Sequence, residues 1–188
     1  MNTTEIHIEH FMSGVLSLMF IVILGAACLP VQTDALQFFL GHETFTAIIA
    51  MSVTYPLGIF CDNLADKLLG HYEASLKRKA HCQGKSIRAL IVKMNIDFVS
   101  DYFNYNRVRI RIARSTWLNF VLIGLAIVVF VILKMDYLKT HDGVAASLFF
   151  LAISILIAVY AFINWRWLTI QNFDTLNKWH DQYMVTKP

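Results

Sequence analysis

Charged residues are scarce in this sequence, and four long segments contain none. Only 15% of its 188 residues are Asp, Glu, Lys or Arg, compared with about 25% in soluble domains. The charge-free segments are the apolar runs 11–30, 44–61, 115–133 and 144–164. Ionisable groups inside a membrane mark proton relays, ion sites and substrate paths, so this absence disfavours a proton-driven pump or a secondary transporter.

Cysteine is also scarce, with only Cys28, Cys61 and Cys82. Three thiols at this spacing predict neither a disulfide framework nor a metal site. Among seven histidines, only His7 and His10 have ligand-like spacing, and we interpret this pair as the surface of a terminal tail. The sequence contains no Ser-His-Asp order and no phosphate-binding loop. It therefore predicts no metal, no cofactor and no enzymatic activity.

The apolar residues are concentrated in runs that have the length of membrane-spanning helices. They make up 57% of the chain, compared with about 45–50% in soluble domains. Because a helix rises about 1.5 Å per residue, about 20 residues cross a hydrocarbon core of about 30 Å. We therefore predict an all-α membrane protein with four transmembrane helices. The first run is interpreted as a retained span because its N-terminal flank carries Glu5 and Glu9 but no basic residue.

Positive charge is concentrated between the second and third runs. Residues 62–114 contain eleven Lys or Arg and five Asp or Glu, whereas residues 31–43 contain no basic residue. Because positively charged loops stay in the cytoplasm, we predict that residues 62–114 and both termini lie in the cytosol beneath the cytoplasmic membrane. Trp117, Trp165 and Trp167 are predicted to mark the inner interface, where indole rings settle at headgroup level.

Helical periodicity continues beyond three of the four runs. After residue 61, apolar residues at helical spacing predict that the second helix reaches about Ala80 and ends in the sequence 81–84. A second amphipathic helix is predicted to begin at Ser86, and a third continues past residue 164. We expect these cytosolic extensions to form a small bundle. The integrated domain then comprises an N-terminal tail with two spans (1–61), a basic cytosolic helical segment (62–114), two further spans (115–164) and a C-terminal amphipathic helix (165–188).

Charged residues flank the inner ends of the second and third runs at the same predicted membrane depth. They predict an inner-interface charge cluster made of Asp62, Asp66, Arg107, Arg109, Arg111 and Arg114. Three interpretations are open. The arginines contact anionic lipid headgroups, they form ion pairs with the two aspartates, or they bind an anionic ligand. Nearby aromatic residues could stack on bases, but a helical core explains them better and a nucleic-acid partner is not expected.

Two local features predict how the spans bend and pack. Pro56 and Gly58 in the second run predict a helix kink, because proline removes one backbone hydrogen bond; a fixed bend is favoured over a gating hinge. A ridge of small residues in the fourth run predicts a close helix–helix contact, either within one chain or between subunits. The ridge comprises Ser147, Ser154, Ala158 and Ala161.

The general plan resembles small multi-span accessory proteins of prokaryotic antiviral defence and regulatory systems. The arrangement of spans and cytosolic helices carries this resemblance, and no motif does. It implies a homo-oligomer that forms a pore or otherwise perturbs the membrane under the control of its cytosolic helices. One alternative is a membrane anchor that docks a soluble partner on the basic cytosolic face. Another is a lipid-modifying enzyme that uses Asp62, Asp66 and a neighbouring histidine.

Overall fold

The structure is a computed structural model, and it describes residues 3–28, 42–82, 87, 91, 97–134 and 141–182. These residues form the helices α1 (Thr3–Cys28), α2 (Glu43–Lys79), α3 (Asp97–Leu133) and α4 (His141–His180). No strand occurs in this part of the chain. Each helix is long and apolar enough to cross a membrane. The prediction of an all-helical protein with four candidate spans is therefore confirmed.

Helix α1 contacts both α2 and α3, and α3 packs along α4. The α1–α2 contact depends on two glycines. A Cβ atom on Gly14 would overlap the backbone carbonyl of Thr54, and one on Gly58 would overlap the carbonyl of His10. Helix α2 continues through Pro56 without interruption. The predicted kink stays a prediction, whereas Gly58 has a clear packing role that the sequence analysis did not assign to it.

The apolar half of the molecule consists of α1, the N-terminal half of α2, the C-terminal half of α3 and the N-terminal half of α4. Several polar side chains are buried there, and many large apolar side chains are exposed. The exposed residues include Val22, Ile132, Phe150 and Leu156. The buried polar residues are Ser13, Ser17, Thr54, Asn119 and Ser154. Soluble proteins show the opposite preference. This distribution suits a surface that contacts lipid and supports a multi-pass membrane protein.

The small-residue ridge of α4 faces α3. Ser154 is buried, and its Oγ donates a hydrogen bond of 2.7 Å to the carbonyl of Phe120. Ala158 and Ala161 are also buried. Ser147 is half-buried, and its Oγ donates to the carbonyl of Gly143 in its own helix. Ser154 therefore makes a contact within one chain, which is one of the two alternatives left open by the sequence.

An apolar core, here called the aromatic core, joins the C-terminal half of α2, the N-terminal half of α3 and the C-terminal half of α4. Its buried residues include Leu69, Leu76, Phe103, Trp165 and Leu176. The interpretation of Trp165 as a lipid-facing interface marker is wrong, because this side chain is fully buried in the aromatic core. The predicted helical extensions meet one another in the aromatic core.

The end of α2 is fixed by contacts with α4. The helix ends at Lys79, one residue before the predicted end, and His81 adopts a positive φ of 53°. Asn177 donates a hydrogen bond to the carbonyl of Ala80. Cys82 Sγ lies 3.3 Å from the carbonyl oxygen of Phe173. The predicted helix start at Ser86 lies outside the described residues, but from Asp97 onward α3 continues unbroken to Leu133.

Candidate functional site between the apolar half and the aromatic core

Charged side chains from three helices meet where the apolar half adjoins the aromatic core. Asp62 and Asp66 lie one turn apart on α2, and Arg111 and Arg114 project from α3. Glu9 enters from α1. These five residues are here called the charge layer. Because α1 contacts both α2 and α3, the three helices bring all five side chains together.

Asp62 is the centre of the charge layer. Its Oδ2 accepts hydrogen bonds from Arg111 Nη2 at 2.7 Å and from Arg111 Nε at 3.0 Å. Its Oδ1 accepts from Arg114 Nη2 at 3.1 Å and from Ser115 Oγ at 3.2 Å. Asp62 is buried. A buried carboxylate needs such partners because removal from water is costly for an unpaired charge.

The charge layer extends from the protein interior to its surface. Arg114 donates from Nη1 to Asp66 Oδ1 as well as from Nη2 to Asp62. The Arg114 side chain is only 8% exposed, whereas that of Asp66 is 63% exposed. Arg114 therefore connects a buried acid to a solvated one. Of the three interpretations of the arginines, ion pairing with the two aspartates is the one that applies to Arg111 and Arg114.

The structure does not bring the other two predicted arginines into the charge layer. Arg107 and Arg109 are exposed, and neither makes an ion pair with any described residue. Arg109 lies over the ring of Tyr105, with its guanidinium carbon 5.4 Å from the ring centroid. Residues 109 and 111 point in different directions because two residues turn a helix through about 200°. The predicted cluster therefore divides into a paired group and two exposed cations.

Glu9 and His10 are part of this site, although the sequence analysis did not include them. Glu9 is only 4% exposed, and its Oε1 lies 3.2 Å from Arg111 Nε. This is an ion-pair contact without a hydrogen bond, because that N–H donates to Asp62. His10 Nε2 lies 3.3 Å from Arg111 Nη2. The available sequence signal was a polar stripe at four-residue spacing, in which Glu9 precedes two serines of the first run.

A second polar layer lies deeper in the apolar half and is centred on Asn119. This side chain is fully buried, and its Nδ2 donates to the carbonyl of Ser13 at 3.1 Å and to Ser13 Oγ at 3.2 Å. Its Oδ1 accepts from Ser17 Oγ at 2.8 Å and from Cys61 Sγ at 3.1 Å. Eight residues separate Asn119 from Arg111, so the polar contacts reach about 12 Å further along α3. Both layers connect α1, α2 and α3.

The charge layer is better suited to holding three helices together than to acid–base catalysis. All four hydrogen bonds to Asp62 come from groups within the chain, which leaves its carboxylate poorly placed to accept a substrate proton. Within the described ranges, no three His, Cys, Asp or Glu side chains are placed to hold a metal ion. Comparisons with protein-family models, curated proteins and solved structures find no match to this chain.

Proposed function

We propose that the chain is a non-enzymatic, homo-oligomeric membrane effector that permeabilises or perturbs the cytoplasmic membrane under the control of its cytosolic helices. The observation that carries this proposal is the continuity of three helices. Helices α2, α3 and α4 contain 37, 37 and 40 residues, and each contributes to both the apolar half and the aromatic core. About 20 residues of each suffice to cross the membrane, so about 17–20 extend beyond it. A movement of the aromatic core would therefore reach the spans directly.

The charges support placing the aromatic core, both termini and residues 62–114 on the cytosolic side. The segment has the largest excess of basic residues in the chain, and such segments stay in the cytoplasm. Arg109, Arg166 and Trp167 are exposed close to the level of the charge layer. At that depth they would contact anionic lipid headgroups, each basic residue contributing about 1 kcal/mol.

The two polar layers would hold the spans closed in the resting protein. In the described spans, the polar side chains of Ser13, Ser17 and Asn119 bond to one another and the outward surface is mostly apolar. That apolar surface offers water and ions no continuous polar path across the membrane. Opening would require the helices to separate at these layers or the subunits to rearrange. The charge layer adjoins the aromatic core and is well placed to couple such a movement to a cytosolic signal.

Mass and leakage measurements on one preparation test this proposal. The purified chain would be analysed in several detergents by mass photometry or light scattering and then reconstituted into dye-loaded liposomes. A discrete oligomer with closed symmetry that releases dye is the expected result. A monomer in every detergent, together with sealed liposomes, would contradict both the oligomer and the pore.

A membrane anchor for a soluble acidic protein is the second candidate, and the unpaired exposed cations favour it. Arg78, Lys79, Arg107 and Arg109 are exposed and make no ion pair with a described residue. They remain available to a partner, whereas Arg111 and Arg114 are already paired. Co-purification that weakens as salt rises is expected for such a partner. Unchanged capture after Arg107→Glu and Arg109→Glu would contradict the anchor function.

A further inference from the structure

A cleft of about 660 Å³ opens beside the charge layer, between α2, α3 and α4. Five apolar side chains line part of the cleft, and charged or amide side chains provide the remainder. The apolar residues are Ile87, Ile91, Phe103, Ile110 and Phe173. The cleft is large enough for a small organic molecule. It lies on the aromatic-core side of the charge layer, so a bound molecule would contact all three of the long helices.

Several hydrogen-bond donors in the cleft lack partners among the described residues. Lys77 and Arg107 line the cleft and make no ion pair with any of them. Arg114 also lines it, and its buried Nε has no hydrogen-bond partner in this part of the chain. Buried donors are rarely left unsatisfied in native proteins. Together these groups present positive charge to an incoming anion.

The cleft also contains acceptors that lack donors. The buried Oδ1 of Asn172 has no hydrogen-bond partner within the described ranges. Glu73 is half-buried in the same cleft and makes no ion pair there. The other two acids of the cleft, Asp62 and Asp66, are already paired with arginines. A simple inorganic anion would satisfy the donors but would leave Glu73 and Asn172 without partners.

We propose that this cleft binds a phosphate ester that also carries hydroxyl or amine donors. The phosphate would contact Lys77, Arg107 and Arg114 Nε, because guanidinium and ammonium groups bind phosphate through strong charge-assisted hydrogen bonds. The donors would point toward Glu73 and Asn172. An apolar portion of the ligand would contact the apolar side chains of the cleft. A phospholipid headgroup from the inner leaflet and a soluble nucleotide share this chemistry.

Binding of the ester is independent of membrane leakage, whereas its regulatory role rests on the proposed function. A ligand that joins α2, α3 and α4 would change the relative stability of their arrangements. It would therefore shift the equilibrium between closed and open spans. Measuring binding and leakage separately distinguishes failure of the site from failure of the pore.

The experiment uses the full chain and two sources of the same chemistry. Adenosine monophosphate is titrated into detergent-solubilised protein by calorimetry, with inorganic phosphate as the simpler anion. In parallel, the unfolding temperature is measured in nanodiscs of phosphatidylcholine alone and in nanodiscs containing phosphatidylglycerol. Saturable nucleotide binding identifies a soluble ester, and stabilisation by phosphatidylglycerol alone identifies a lipid headgroup.

Matched variants test whether the ester binds in the cleft. The double variant Lys77→Gln, Arg107→Gln removes two charged hydrogen-bond donors. It should lower the affinity for the nucleotide at least about tenfold, or reduce the stabilisation by phosphatidylglycerol. The control is the charge-matched double variant Arg78→Gln, Lys79→Gln, because both residues are exposed, follow Lys77 on α2 and do not line the cleft. The proposal is overturned if neither ester affects the parent chain, if inorganic phosphate binds as tightly as the ester, or if Arg78→Gln, Lys79→Gln loses as much affinity or stabilisation as Lys77→Gln, Arg107→Gln.

Discussion

Arg111 and Asp62 connect α3 to α2 through two hydrogen bonds to a single carboxylate oxygen, of 2.7 Å from Nη2 and 3.0 Å from Nε. Forty-nine residues separate the two positions in the chain. Their side chains are 19% and 7% exposed, so the pair is largely shielded from water. The pair lies between the apolar half and the aromatic core, and it links the two helices at that level.

Replacing Asp62 should destabilise the protein far more than replacing Asp66. Asp62→Asn leaves buried guanidinium groups without their central counterion, and breaking a buried pair costs about 3–5 kcal/mol. The lower end is expected, because Glu9 Oε1 remains 3.2 Å from Arg111 Nε. Asp66→Asn is the matched control, because the Asp66 carboxyl is 63% exposed and Arg114 keeps its hydrogen bond to Asp62. A loss of about 0–1 kcal/mol is expected there. Chemical denaturation in detergent measures both, and equal losses would show that Asp62 is not the centre of the layer.

Alanine at Gly14 or Gly58 should disrupt the α1–α2 contact. The added Cβ would meet a backbone carbonyl in each case, so the helices must separate. Overpacking of this kind costs about 1–3 kcal/mol or more. Gly25→Ala is the control within α1, because nothing lies within 4 Å of its added Cβ. That control should be neutral or slightly stabilising, since alanine favours a helix by up to about 1 kcal/mol over glycine. Equal behaviour of all three variants in thermal unfolding would contradict the described contact.

Asn119→Leu should weaken the deeper polar layer and increase leakage in the proposed effector. The substitution leaves the Ser17 hydroxyl, the Cys61 thiol and the Ser13 hydroxyl without their shared partner. The expected loss of stability is about 1–3 kcal/mol, the usual cost of buried groups left unsatisfied. Ser52→Ala is the control, because its exposed hydroxyl donates only to the carbonyl of Ile48 in the same helix. A stable Asn119→Leu variant with unchanged leakage would contradict the proposal that this layer helps to hold the spans closed.

The sequence was most informative where a single physical constraint decides the structure. Long charge-free helices are stable only when buried in lipid or protein. Each of the four runs lies in an observed helix over the residues that the structure describes. The end of the second helix near Ala80 could also be predicted, because His81 and the residues after it interrupt the helical periodicity. Asp62 and Arg111 could be expected at one depth because each adjoins the inner end of a span.

The remainder depends on how the helices are rotated against one another. Glu9 looked like the flank of a span, because the polar stripe that it forms with two serines does not show which helix that stripe faces. That rotation is set by the contacts of Gly14 and Gly58 with backbone carbonyls, which become visible only when two helices are placed together. Similarly, Arg109 shares its segment with Arg111 but faces Tyr105. Segment composition alone could not separate paired arginines from exposed ones.

Thiol labelling tests both the fold and the proposed orientation. Cys28 is exposed, whereas Cys61 and Cys82 are buried, and none of the three forms a disulfide. A membrane-impermeant maleimide added to intact cells should therefore label Cys28 from the outside, because the proposed topology places this end of α1 at the outer face. Cys82 should react only after denaturation, since its thiol is fully buried between α2 and α4. The variant Cys28→Ser is the control and should lose nearly all native labelling. Rapid native labelling of Cys82 would contradict the packing at the end of α2, and labelling of Cys28 only from the cytosolic side of inverted vesicles would reverse the proposed topology.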